Sequence, residues 1–331
     1  MRESTNIIDI RELEIGFTKG KKKYLSLMDG IAMSADKGEF IALIGQNGIG
    51  KSTLLKTLVK LQPILSGDVY FKGDRIQEIS LRNFSRFVAY VSTEVIRAGN
   101  LKVQDLVGLG RYPYTNWLGN LTTRDHEKVD SALEMVGLTK LKNKNITEVS
   151  DGERQRAMIA RTIAQDTEVL ILDEPTAFLD LPNRYDVLHL LKSLAHNKGK
   201  TVIFSTHDLG LVLNEVDKIW VMTEKGVLEG SPEDLAINSD FDQLFPGSPL
   251  RLDVHSGNFV YPINATKRIR LIGKGNRFHW TKKALERTGH LISEDAGIPQ
   301  VEIIGNNWIL IKEDDQYTCN SIQDLISKLG I

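Results

Sequence analysis

Cysteine is almost missing from this chain: among 331 residues there is one, Cys319. No internal disulfide can form, which suits a reducing compartment. An excess of charge is missing too, because 42 Lys and Arg offset 43 Asp and Glu to leave a formal net charge of -1. Proteins that hold nucleic acid by neutralising phosphates usually carry a basic surplus, so no nucleic-acid partner is expected. No stretch approaches the roughly 20 consecutive apolar residues that span a bilayer. The opening MRESTNIIDI has no basic-then-apolar signal segment. The expectation is a cytoplasmic chain that reaches a membrane only through a partner. Its 41% hydrophobic and 26% charged residues are ordinary usage for a folded protein. Its length allows two or three compact units, each with a core.

Short apolar runs organise the first two thirds. Glu39-Phe-Ile-Ala-Leu-Ile44 ends in a glycine-rich turn, and Val169-Leu-Ile-Leu172 ends in Asp-Glu-Pro. Thr201–Ser205 and Lys218–Met222 are similar. Such runs predict strands buried on both faces of a parallel sheet. Between them, Val187, Leu188, Leu191 and Leu194 recur at helical spacing. Strands alternating with helices predict an α/β sheet with crossover connections. From about 94 to 165 the strand signal fades and polar helical patterns take over, which predicts a helical insertion. Residues 1–235 are expected as one domain, 236–256, with Pro246, Gly247 and Pro249, as a linker, and 257–331 as a small α+β unit.

Chemistry enters at residues 45–53, Gly45-Gln46-Asn47-Gly48-Ile49-Gly50-Lys51-Ser52-Thr53, directly after a predicted buried strand. The pattern is GxxxxGK[ST], a phosphate loop. Glycines let the backbone turn its N–H groups inward around phosphates, where a Cβ would obstruct. Lys51 is placed to neutralise the β- and γ-phosphates and Ser52 to ligate Mg²⁺, so ATP and Mg²⁺ are the expected cofactors. Asp173 closes a second buried run and is the expected Mg²⁺-side acid. Glu174 follows, placed to orient or deprotonate the attacking water.

Val149-Ser150-Asp151-Gly152-Glu153-Arg154-Gln155 resembles the signature sequence of the ABC ATPases, and it lies one helix upstream of Asp173 as that family requires. The same residues also read as a Ser-x-x-Glu capping box. The resemblance, over roughly residues 7–235, implies an α/β P-loop NTPase core of the ABC type with a helical insertion subdomain. It implies that Ser150, Asp151, Gly152 and Glu153 act in trans on the ATP of a second copy, so that the chain pairs with itself or a paralogue. Ala177-Phe-Leu-Asp180 resembles the loop that pairs across that dimer. Ser205-Thr-His-Asp208 resembles the switch, with His207 on the γ-phosphate and the attacking water. Phe17 fits the adenine-stacking aromatic, with Tyr24 as rival. Two departures stand out. Asp151 replaces the usual glycine, which puts a carboxylate near the γ-phosphate unless it points away. Thr93, followed by Glu94, stands where such families place a metal-contacting Gln, and both carry oxygen that can reach Mg²⁺.

Gly110-Arg-Tyr-Pro-Tyr114 and the following helical stretch are similar to importer ATPases that serve iron-siderophore, haem and cobalamin permeases. The resemblance implies an ATP-hydrolysing motor at the inner face of the plasma membrane. Its partners would be integral-membrane permease subunits and, indirectly, a substrate-binding protein. Another transported ligand, or a soluble ABC ATPase, is the alternative. The C-terminal unit lies outside the resemblance and is read as strand, strand, helix, strand, strand, helix. Trp280, Ala284, Thr288 and Leu291 form its first helical stripe, and Gly305-Asn306-Asn307 joins a hairpin. The Gly273-Lys-Gly275 turn and the basic residues around it read as a tight turn with a solvated face. The unit's expected role is regulatory or dimer-stabilising.

Overall fold

The computed structural model describes residues 6–19, 23–92, 100–116, 119–177, 179–254, 256–262, 265–295, 297–312 and 315–330. The chain divides into two units, Met1–Ser248 with Leu252–Asn258, and Pro249–Arg251 with Phe259–Ile331.

The first unit holds two sheets. A four-stranded antiparallel sheet has the order β2-β1-β4-β5, with β1 at Asn6–Lys19, β2 at Lys23–Asp36, β4 at Ser66–Phe71 and β5 at Asp74–Arg75. A six-stranded sheet has the order β10-β9-β3-β8-β7-β6. Its strands are β3 (Phe40–Gly45), β6 (Val88–Val91), β7 (Val169–Leu172), β8 (Thr201–Ser205), β9 (Lys218–Thr223) and β10 (Gly226–Gly230). All of its neighbours run parallel except β10 on β9. The parallel strands are apolar on both faces, as a sheet covered on both sides requires. Leu54, Leu55 and Leu58 of α1 (Lys51–Leu58) pack with Ile8, Ile10, Ile15, Ile41, Leu43 and Trp220 into one core. α2 follows at Leu81–Phe87.

The insertion consists of α3 (Val103–Gly108), a 3-10 turn at Leu109–Tyr114, α4 (Thr123–Met135) and α5 (Asp151–Gln165). The chain then returns to the sheet with α6 (Leu181–His196), α7 (Leu209–Glu215) and α8 (Pro232–Ile237). The stretch 236–256 departs from the expected linker. A 3-10 turn at Asp240–Leu244 buries Phe241 and Leu244, and Gln46 Nε2 donates to the Leu244 carbonyl at 2.7 Å. Two apolar anchors outweigh the proline and glycine punctuation around them. A two-stranded ribbon, β11 (Arg251–Asp253) with β12 (Asn258–Val260), falls at the division between units.

The second unit is a five-stranded sheet, order β14-β13-β15-β16-β17. It is formed by β13 (Lys267–Ile272), β14 (His290–Ile292), β15 (Gln300–Ile304), β16 (Asn307–Lys312) and β17 (Asp315–Cys319). With α9 (Gly275–Arg287) and α10 (Ile322–Lys328) it buries Ile269, Leu271, Leu285, Val301, Trp308, Leu310 and Leu325. The helical stripe differs from expectation. Thr281, Ala284 and Leu285 face the core, whereas Trp280 is 60% exposed and Leu291 lies on β14. Trp308 Nε1 donates to Thr281 Oγ1 at 2.7 Å, so the core tryptophan sits on the sheet and sets the helix phase.

Candidate functional site

Three neighbouring strands, in the order β3-β8-β7, run parallel and deliver their carboxyl ends to the same side. That is where open α/β sheets bind ligands. β3 turns into the glycine loop, with Gly48 at φ 81° and Gly50 at φ 114°, a region that costs residues bearing a Cβ. A Cβ at Gly45 would come within 2.7 Å of the Met222 carbonyl. α1 starts from Gly50 without any side-chain cap, so its first N–H groups are free to meet an anion. Lys51 is only 7% exposed, and its Nζ donates to the carbonyls of Gly45 (2.8 Å) and Gln46 (3.0 Å). Burial pulls the ammonium below the usual lysine range, against the opposing pull of Glu174 and Asp173. Ser52 is exposed and Thr53 is buried; Asn47 is exposed and Ile49 half-buried.

Asp173 directly follows β7, and its Oδ1 accepts from Ser205 Oγ at 2.7 Å. The same Ser205 oxygen accepts from the Glu174 N–H at 2.9 Å. Glu174 takes φ 47°, left-handed backbone rare for a side chain of this kind. Its Oε1 contacts His207 Nε2, carried on the loop after β8. A cavity of about 400 Å³ opens beside Gly45, Gln46, Asn47, Thr206 and His207. Ser205 is the residue that sequence reasoning did not assign. It closes an apolar run and opens the switch sequence, and that position was its signal. The Ser52 hydroxyl and the Asp173 carboxylate are hard oxygen donors, the set that Mg²⁺ prefers.

A second group forms at the start of α5. Ser150 caps the helix, accepting from the Glu153 N–H (3.3 Å), while Glu153 Oε2 accepts from the Ser150 N–H (2.8 Å) and hydroxyl (3.0 Å). The capping box is therefore present, and those bonds hold the Glu153 carboxyl below its usual range. Asp151 turns back to pair with Arg154 Nη1 at 2.8 Å. Gly152 faces Asn183, where a Cβ would meet the amide at 3.4 Å. Asn183 in turn donates to Asp180, the N-cap of α6. Ser150, Gly152 and Asp180 thus share one surface. Phe17 and Tyr24 are both exposed, on paired strands. Thr93 and Glu94 lie outside the described residues.

A groove of about 750 Å³ lies between α2 and the Leu109–Tyr114 turn, lined by Leu81, Phe84, Val88, Tyr112 and Pro113, with Arg161 and Gln165 of α5. Arg111 of that turn is directed inward. Its Nε meets Asp125 Oδ1 at 2.8 Å, with both side chains 6% exposed. Burial alone would raise the Asp125 carboxyl, but hydrogen bonds from Thr122 and the Arg111 guanidinium prevail and hold it at about 2.

Known proteins resemble this chain in both of its units. Residues 28–177 match the ABC transporter family model, and residues 266–330 match the iron ABC transporter C-terminal domain. An achromobactin transport ATP-binding protein of Dickeya dadantii is 38% identical over 229 residues, 69% of this chain and 83% of that protein. The ferric enterobactin transport ATP-binding protein of Escherichia coli is 32% identical over 246 residues, 74% and 89% respectively. Among solved structures, a transporter described as of the metal-chelate type, in an inward-facing conformation, matches with a TM-score of 0.63 at 27% identity. That match covers 72% of this chain and 89% of the other.

Proposed function

This chain belongs to the ABC transporter ATP-binding family, and from that premise we propose that it powers an importer for an iron chelate or a related metal-centred ligand. It is an ATPase: ATP binding and hydrolysis drive passage through separate membrane permease subunits. Hydrolysis rests above all on one observation, the Glu174–His207 contact at the strand ends beside the Lys51 loop. Relatives named for siderophore transport, and the C-terminal match to an iron-transport domain, support the cargo class.

In this reading the N–H groups of the loop and of α1 hold the phosphates, and Lys51 leaves its two carbonyls to meet them. Glu174 accepts a proton from the attacking water, while His207 holds that carboxylate and faces the γ-phosphate. Ser205 keeps Asp173 and Glu174 in register. Mg²⁺, held by Ser52 and Asp173, would supply charge neutralisation at the β- and γ-oxygens. Ser150 of a second copy completes the site from the far side. The apolar groove beside Tyr112 and Pro113 seats the permease. Among the described residues no helix is long and apolar enough to cross a membrane, which suits a subunit held there by that permease.

Glu174→Gln should cut turnover by about a hundredfold or more while stabilising an ATP-bound dimer, read by light scattering. It should also stop uptake of a ferric siderophore into vesicles carrying the permease. Normal hydrolysis by that variant would sink the assignment. The unit from 257 to 331 is proposed as a regulatory or dimer-stabilising addition. Deleting it should change dimer affinity or the ATPase rate, and leaving both untouched would refute that role.

A further inference from the structure

The Leu109–Tyr114 turn does two things at once. Leu109, Gly110, Tyr112 and Pro113 form a wall of the groove. Arg111, between them, reaches the other way and joins elements far apart in sequence. Besides Asp125, its NH1 donates to the Ala164 carbonyl in the last turn of α5 at 2.7 Å, and the guanidinium stacks over the Tyr114 ring at 4.0 Å. Gly110 lies against the same helix, where a Cβ would fall 2.1 Å from the Arg161 carbonyl. Wall and helix therefore touch backbone to backbone, with a buried cation riveting them. The opposite end of α5 is Ser150, about 22 Å away at 1.5 Å per residue.

We propose that Arg111 is a positioning residue that fastens the groove wall to α5, so that an occupant of the groove sets the place of Ser150 at the partner copy's ATP. The idea rests on the reading that the permease seats in this groove. Two features argue for fastening rather than stability alone. A buried ion pair generally adds little over apolar packing of the same volume, so this one is poorly explained as a source of stability. Its fork also meets two acceptors on two helices, which a lysine's point charge cannot copy. α5 meets the other side of the groove as well, through Gln165 Nε2 to the Ser85 carbonyl (2.6 Å) and the Val88 carbonyl (3.1 Å). A seated segment thus bears on α5 from its wall and from its floor.

The test uses the full chain reconstituted with its permease subunits in nanodiscs. Because Arg111→Met alone strands a buried carboxylate and can impair folding, the double variant R111M/D125N, which removes both charges and keeps an acceptor for Thr122, accompanies it. For the double variant we expect a melting midpoint near wild type, unchanged ATPase without permease, and unchanged co-purification with permease. Its permease-stimulated kcat should fall about tenfold, equivalent to about 1.4 kcal/mol, at an unchanged KM for ATP. A fully stimulated double variant would overturn the proposal. So would loss of permease binding, since Arg111 would then shape the docking surface rather than relay it. Leu81→Asp serves as control for the seat itself. If it binds permease normally, the docking reading fails, whatever the arginine variants show.

Discussion

Two helices are proposed to offer their first turns to a phosphate, and they begin in opposite ways. α1 starts from a left-handed glycine with no side chain on its open N–H groups. α5 starts with every part of a capping box in place. The first is incomplete without a ligand, so binding there supplies what the backbone lacks. The second is finished in isolation, so in the proposed pairing a partner copy would meet a preformed surface and be spared the cost of ordering it. α4 adds a control. It carries the same kind of box, Thr122 with Asp125, but there the boxing carboxylate is buried and already held by Arg111. A cap is structural or functional according to what stands behind it.

The comparison breaks most visibly at α1. Lys51→Ala removes the charge that the open loop is built around, and ATP affinity should fall by about a hundredfold or more, the loss of one or two charge-assisted hydrogen bonds. Titration calorimetry reads it directly, and binding within a few-fold of wild type would mean the loop is not the phosphate site. The α4 cap should answer to acid instead. Its carboxyl sits at about 2 in the folded chain against an ordinary 3.8. A lowered value stabilises the fold above the ordinary range, and that contribution is lost as pH falls from about 4 toward 2. The difference is a few kcal/mol between the ionised and the protonated carboxyl, with the Arg111 partner kept in place. Urea unfolding at pH 5 and pH 3 should show this slope, and Asp125→Asn should flatten it. The smallest effect is predicted at α5. Ser150→Ala should cost about 1 kcal/mol of stability as a lost N-cap. Its turnover should drop by roughly tenfold, the order of one missing phosphate donor, with single-copy ATP affinity unchanged. Equal losses in affinity and turnover would erase the distinction between the two helix starts.

These two starts were readable in the sequence because each depends on local chemistry. Gly48, Gly50, Ser150 and Glu153 are needed where they stand by backbone geometry within a few residues. Asp173 and Glu174 were readable for a related reason, at the close of a buried run. Pairings made by folding were not. Arg111 and Asp125 lie 14 positions apart, and nothing in either segment announces the other. Ser205 bridges two residues 31 and 32 positions away. In the second unit, β14 is three residues long and β17 reads Asp-Gln-Tyr-Thr-Cys. Neither presents an apolar alternation, and both are edge strands that neighbours complete. Trp280 misled because a large aromatic at helical spacing suggests a core, while Trp308 had already filled it.

The left-handed backbone of Glu174 has one more consequence. Such a conformation costs a residue with a side chain on the order of 1 kcal/mol or more, and glycine or asparagine would relax it. Selection of this chain for heat resistance alone would therefore favour replacing the carboxylate proposed here to activate the attacking water. Hardiness and turnover compete at a single position, and any directed evolution of the protein has to assay both.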